Sequence, residues 1–286
     1  MKLIITFILF CLFSTNSSFA KDKDIYLPSV IMMEDQMTIR ISYDEQKRIV
    51  SISNLNAMGH TYIDSSSISI QYDKEGRIKQ KLQYSMLCEK EDINNILNTT
   101  NYTYDYDYTK KDTITLRKSK QIISDELNTY PMDTSYIKIY RDSNNTIIER
   151  PFVEKKDEVS ITKTKFDKDG NISDYYQSIK TAMNHITTHF FVDEYINNKS
   201  IFENVNFVSN YNRTQLNIIQ IFLIIDHASK IHVMTELILD EKQNLEEERG
   251  TIQYEYNEFG YPIRLEMKDE QNSSKNTLIT IEYIKL

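Results

Sequence analysis

Tryptophan is missing from this 286-residue chain, and glycine (five) and proline (four) are scarce. Collagen-like and low-complexity architectures need both residues in bulk, so they are excluded. Cysteine occurs twice, and Cys11 falls within the twenty residues that read as an export leader. A mature chain holding only Cys88 cannot close an internal disulfide, so its stability must come from burial. Cys88 itself reads as a small buried hydrophobe. Long apolar runs are also absent after the leader: the best, Ile218 to Ile225, is broken by Gln220. No transmembrane helix follows from it, and we expect the chain not to span a membrane. Missing too are Gly-x-Ser-x-Gly, the phosphate loop and the dinucleotide fingerprint, which lowers the expectation of an enzyme and implies no cofactor. Basic charge is in deficit, with a net charge of −8. That balance argues against nucleic acid and anionic membrane surfaces as partners.

What is present begins with an address. Met1-Lys2 gives a short positive region, Leu3 to Phe13 an apolar stretch, and Ser18-Phe19-Ala20 a small-x-small cleavage site. Cleavage after Ala20 would deliver a secreted or periplasmic protein. Cys11 follows Ile8-Leu9-Phe10 where lipid attachment wants a small residue, so plain secretion is favoured. Residues 21–36, with Pro28, read as an extended leader, and residues 37–286 as a single β domain. Twenty tyrosines, twelve phenylalanines and abundant isoleucine form a strand-favouring composition.

The chain is organised around Ser67 to Met86, two alternating strands joined by Asp73-Lys-Glu-Gly76. Ile68, Ile70 and Tyr72 fall on one face going up; Ile78, Leu82 and Tyr84 are expected on one face coming back. A similar hairpin precedes it at 37–52, others follow at 102–116, 136–147, 161–176, 237–245 and 252–263, and His189–Val192 with Ile201–Phe202 reads as another about Asn197-Asn198. A closing strand runs from Leu278 to Tyr283, and residues 89–97 suit a short helical turn. Tyr43-Asp44, Tyr72-Asp73, Phe166-Asp167, Leu239-Asp240 and Tyr256-Asn257 each set a large apolar residue before Asp or Asn. Three residues on come Lys47, Gly76, Gly170, Gln243 and Gly260, and Asn145 holds the same place after Asp142. Asp or Asn starts such a turn by accepting from the backbone two residues ahead. The fourth position then needs a positive φ, which glycine takes without steric cost.

One segment breaks this pattern. Residues 215–226 are apolar on nearly every side, so periodicity does not separate a buried helix from a buried strand. Asn212 or Thr214 could cap a helix, while the isoleucine content favours a strand; we take a short buried helix that plugs the sheet.

The Tyr72-Asp-Lys-Glu-Gly-Arg-Ile78 core resembles the YD repeats of RHS-type bacterial proteins, with weaker copies at 43–49, 166–172, 239–245 and 256–263. With its export signal, the chain also resembles small secreted bacterial proteins with a porin-like β domain. The resemblance implies an all-β fold: an antiparallel hairpin meander curled into an open or closed barrel, with one or two short helices. It brings no catalytic residues. The faces taken as outward carry Arg40, Gln71, Lys79, Lys81, Gln83 and Glu282, where lipid would demand apolar side chains. A soluble barrel is therefore expected, acting as a non-catalytic binding or scaffold module of the bacterial cell envelope. Its candidate ligand is a glycan or a surface protein; the alternatives are a structural part of a surface or secretion assembly, or a hydrolase with an unrecognised site.

The most suggestive motif is Asn101 to Thr109. In a strand, Tyr102, Tyr104, Tyr106 and Tyr108 share one face and Thr103, Asp105 and Asp107 the other. Such a row could stack on sugars, or form the inner face of the sheet. His185 and His189 have a metal-ligand spacing on a helix, but on a strand they lie about 13 Å apart, too far for one ion. Asp167 to Asn171 is a turn, since an EF-hand wants glycine sixth and glutamate twelfth. No metal site is expected.

Overall fold

The computed structural model describes residues 24–34, 37–58, 62–89, 96–110, 113–124, 128–129, 133–142, 144–151, 159–181, 184–216, 219–239, 242–271 and 276–286. The expected export leader, residues 1–20, and residues 90–95 of the expected helical turn lie outside them. The first strands are β1 (Tyr26–Met33), β2 (Met37–Tyr43), β3 (Ile49–Met58), β4 (Tyr62–Tyr72), β5 (Ile78–Glu89), β6 (Ile96–Lys110) and β7 (Thr113–Ser124). Then come the short β8 (Asn128–Thr129), β9 (Asp133–Arg141), β10 (Thr146–Pro151), β11 (Val159–Phe166), β12 (Ile172–Lys180) and β13 (Asn184–Tyr195). Two short helices, α1 (Asn210–Thr214) and α2 (Gln220–Ile225), precede β14 (Ala228–Leu239), β15 (Lys242–Tyr256), β16 (Pro262–Asp269) and β17 (Thr277–Lys285).

All pairings are antiparallel. Each strand pairs with its sequence neighbour, except that β7 pairs with β9 past the two-residue β8. β1 joins β17 from Tyr26↔Lys285 to Met33↔Ile279, which closes sixteen strands into a barrel. The stretch expected as a leader thus contributes a strand that is paired on both sides.

The repeated turns follow one chemistry. Asp44 Oδ1 accepts from the backbone of Gln46 and Arg48, and Asp73 Oδ1 from Glu75 and Arg77. Asp142, Asp167 and Asn257 do the same in their turns. The positive φ falls where the spacing placed it: 62° at Lys47, 78° at Gly76, 58° at Asn145, 86° at Gly170 and 81° at Gly260. The 239–245 copy departs from this rule. Gln243 is a ladder residue opposite Ile238, and Leu239 pairs with Lys242, so only residues 240–241 separate the strands.

Four of these hairpins share a feature that the alternation alone does not display. Gln71 pairs with Gln80 but Tyr72 with Ile78, leaving Lys79 as an extra residue. The same bulge recurs at Ser42/Tyr43, Lys165/Phe166 and Glu255/Tyr256. An extra residue moves the following alternation to the other face. Ile78 therefore points inward and is fully buried, yet Leu82 and Tyr84 lie outside, 41% and 40% exposed, while Lys81 is 1% exposed inside. This reverses the expected facing of Leu82 and Tyr84 and of Lys81 and Gln83.

Tyrosine completes each bulge. Tyr72 Oη donates to the Ile49 carbonyl (2.7 Å), Tyr108 to Ile78 (2.9 Å), Tyr195 to Ile172 (3.3 Å) and Tyr283 to Pro262 (2.9 Å). Every acceptor is the residue just before the extra one in the bulge of a neighbouring hairpin. Arg48 and Arg77 pair with Asp44 and Asp73 in their own turns and lie 4.4 Å over the rings of Tyr72 and Tyr108. Each turn is thus linked to the next strand.

The described residues between β13 and β14, 196–216 and 219–227, fold into the barrel. Ile201 and Phe202, expected as a strand, are buried within this insert and lie outside the ladder. Ser209 caps α1, accepting from Asn212 N; Asn212 and Thr214, the expected caps, are inside the helix and buried. α2 bears out the buried-helix reading: Phe222, Leu223, Ile224 and Ile225 are at most 4% exposed. They pack with Ile39, Ile52, Ile68, Ile139, Ile147 and Ile172 of the wall. Burying each such side chain stabilises the fold by roughly 1.5–3 kcal/mol. The insert is also bonded to the repeated turns along one rim. Asn206 N donates to Lys47 O, Asn212 Nδ2 to Gly76 O, Arg213 Nη1 to Gly170 O and Lys199 Nζ to Phe259 O. Ser200 Oγ and Ile201 N hold Asp226 at 2.5 and 2.6 Å, fixing the two ends of the insert to each other.

Candidate functional site

The insert is bonded along one rim of the barrel, and beside it the strands turn polar and aromatic as well as aliphatic side chains inward. The tyrosine row lies on this inner wall. Strand β6 presents Tyr102, Tyr104, Tyr106 and Tyr108 inward, while Asp105 faces out and accepts from Gln80 Nε2 at 2.8 Å. The four tyrosines have different surroundings. Tyr106 is 8% exposed and donates to Gln215 Oε1 of the insert (3.0 Å). Tyr108 completes a bulge. Tyr104, also 8% exposed, donates to Gln83 Oε1 (3.2 Å). Tyr102 is half-buried and lies farthest from the insert.

A polar layer separates the apolar plug from this interior. Lys81 Nζ donates to the Gln215 carbonyl (3.0 Å), and Gln215 Nε2 donates to Glu149 Oε1 (2.7 Å) and Thr214 Oγ1 (3.1 Å). Burial lowers the Lys81 ammonium to about 8, against the attraction of Glu149. Glu149 still meets a little solvent from the interior, but the protein ringing it dominates, and burial raises its carboxyl to about 7. Burial also pushes the Tyr106 hydroxyl well above its ordinary range. Lys81 and Glu149 carry no sequence motif. Lys81 could have been found only by placing the bulge after Gly76, and Glu149 only by knowing that β10 faces β5 across the interior.

Lysines also gather on the tyrosines. Lys81 Nζ lies 4.3 Å from the Tyr104 ring centroid, and Lys118 Nζ 4.8 Å from Tyr102 and 5.7 Å from Tyr104. Lys120 Nζ stands 5.8 Å from Tyr102. The ladder imposes this grouping, because Lys81↔Tyr104↔Lys118 and Gln83↔Tyr102↔Lys120 are two cross-strand rows.

The other candidates are not brought together. His185 and His189 both lie on β13, where His185 Nε2 is 2.8 Å from Ser178 Oγ and His189 Nε2 is 2.9 Å from Asp174 Oδ1. Among the described residues no group of three or more potential metal ligands occurs. Cys88 is buried, with Sγ 3.8 Å from the Ile63 carbonyl. No helix among the described residues is long and apolar enough to cross a membrane.

No protein-family model matches this chain, and no curated protein does. Among solved structures, a porin-like protein from Bacteroides vulgatus ATCC 8482 aligns over 91% of this chain and 99% of its own, at 13% identity and a TM-score of 0.42. A porin-like protein from Bacteroides uniformis ATCC 8492 aligns over 82% and 95%, at 9% identity and a TM-score of 0.32.

Proposed function

We propose that this chain is an exported, water-soluble, non-catalytic binding barrel of the bacterial cell envelope. It takes a glycan or a protein segment into the end that the insert leaves open. The observation that carries this reading is the division of the interior: an apolar plug at one rim, and above it a polar wall with Tyr102 at its outer edge. Concave sites with a few convergent polar groups and aromatic walls are where small ligands are held. Solubility is supported by the outer face, where Arg40, Arg117, Lys163, Glu247 and Arg264 are exposed. An arginine or lysine at the bilayer midplane would cost about 2–4 kcal/mol. The non-catalytic reading is supported by the state of Lys81 and Glu149, which are both engaged by Gln215 of the plug.

Two measurements test the proposal. The exported protein should remain in the supernatant without detergent, and obligate partitioning into vesicles would refute the soluble reading. On a glycan array, Tyr102→Ala should abolish a signal that Tyr176→Ala, on the outer face, leaves intact. The opposite pattern would move the site outside the barrel.

A further inference from the structure

The bulge after Gly76 that turns Lys81 inward also leaves Leu82, Tyr84 and Met86 on the outer wall, a placement that the core does not explain. Their neighbours on that wall are small. Strand β4 sets Ser69, Ser67 and Ser65 opposite them, and β6 sets Thr103, Asn101 and Thr99. Beyond the serines, β3 adds Ser51, Ser53 and the 52% exposed Leu55; beyond β6 come Ser119 and Gln121 of β7. Across these three rows no described side chain carries a charge, and Arg40, Asp105 and Arg117 stand only at the border. The far side of the barrel is built differently. There exposed ion pairs cover the wall: Lys230–Glu194 (2.7 Å), Arg249–Glu247 (3.0 Å), Arg264–Glu255 (2.9 Å) and Lys268–Glu266 (3.4 Å). A partner seated on that side would have to strip water from charges, a cost that the uncharged sector does not carry.

Closure of β1 on β17 leaves no long sheet edge, so another chain associates with a face of the wall and not by strand addition. Two copies of this chain, each with a net charge of −8, repel one another where their charged faces meet. The uncharged sector is where they approach without that repulsion. It is also matched to itself in shape. The large residues of β5 form a ridge, and the serines of β4 and β3 form a shallow groove beside it. A two-fold axis between β4 and β5 lays each ridge in the other copy's groove, the reciprocal contact that a symmetric dimer requires. We propose that this chain forms a two-fold dimer through the uncharged wall of β3 to β7, with Tyr84 at its centre. At about 4.8 Å between strands and about 6.8 Å between successive outward residues, the sector covers on the order of 500 Å² per copy. That is the low end of specific interfaces, so the dimer is weak and reversible. The dimer is independent of what the interior binds.

Sedimentation of the purified protein across roughly 5–500 μM, a span suited to an interface of this size, tests this. The mean mass should rise from one chain towards two. It should do so at least as readily at about 0.5 M salt as at about 0.05 M, since no ion pair crosses the contact and screening relieves the repulsion. Tyr84→Arg should hold the protein monomeric throughout, and Leu82→Lys should weaken association at least tenfold. Both side chains are exposed, so the fold survives either change. Leu245→Arg, at a 58% exposed position on β15 of the far wall, should change nothing. Phosphatidylcholine vesicles are the competing partner. A monomer at every concentration, captured by these vesicles unless Tyr84→Arg is present, would overturn the dimer and give the wall to a lipid surface. A monomer that ignores the vesicles would overturn the proposal outright, as would a dimer that survives both wall variants or dissociates in salt.

Discussion

Glu149→Gln weighs the buried polar layer directly. Burial raises the Glu149 carboxyl from 4.5 to about 7, so the folded protein holds this proton more tightly than the unfolded chain does. The stability linked to that proton is complete below pH 4.5 and is lost as the pH climbs through 7. At 1.36 kcal/mol for each tenfold change in proton affinity, the loss reaches about 3 kcal/mol near neutrality. Glutamine does not ionise, yet its amide oxygen still accepts from Gln215 Nε2, now 2.7 Å from the carboxylate. Part of the gain is offset because Lys81 loses the opposite charge that partly counters its burial. The variant should therefore match the parent near pH 4.5 and exceed it by about 2 kcal/mol at pH 7.5. Urea unfolding at five or six pH values reads this difference. A difference flat to within about 0.5 kcal/mol across that range would mean that Glu149 titrates as a solvated carboxylate, and the buried-layer argument would fail.

Other substitutions probe the repeat and the thiol. Tyr72→Phe strips the Ile49 carbonyl of the hydroxyl that serves it and should cost about 1 kcal/mol; parental stability in urea would mean the hydroxyl is dispensable. Gly76→Ala and Gly170→Ala both force alanine to a positive φ, at about 1 kcal/mol each. Gly76 should cost more, because an added Cβ would stand 3.2 Å from Val208 Cγ2 and Gly170 has nothing within 4 Å. Equal losses would mean that the rim yields freely to the insert. Cys88, 1% exposed, should react with Ellman's reagent only as fast as the protein unfolds, and rapid labelling of the native protein would contradict its burial.

The turns were legible because their chemistry is local. Asp73, Gly76 and Arg77 act within five residues of each other, so type and spacing alone reveal them. The bulge after each turn was not legible, since it depends on which residue of the return strand meets Tyr43, Tyr72, Phe166 or Tyr256. One unseen extra residue, Lys79, was enough to exchange the faces of Lys81 and Leu82. The role of tyrosine in the repeat lay equally out of reach, because its acceptor belongs to another hairpin: Tyr72 and Ile49 are 23 residues apart, Tyr108 and Ile78 are 30. The insert announced itself by being apolar all round. Its docking on Gly76 and Gly170 did not, because backbone carbonyls leave no trace in the sequence.

The closure of β1 against β17 bears on how this chain reaches its native state. Ser29 and Glu282, bonded across that seam, are 253 positions apart. Contacts of such separation add chain entropy to the folding barrier, and rates fall steeply as they come to dominate. The first strand must wait, unpaired on one side, for the last. The isoleucines of the early hairpins meet α2 only when a segment more than 140 residues further along the chain folds in. Folding is therefore expected to be slow, and completed from the C-terminal end.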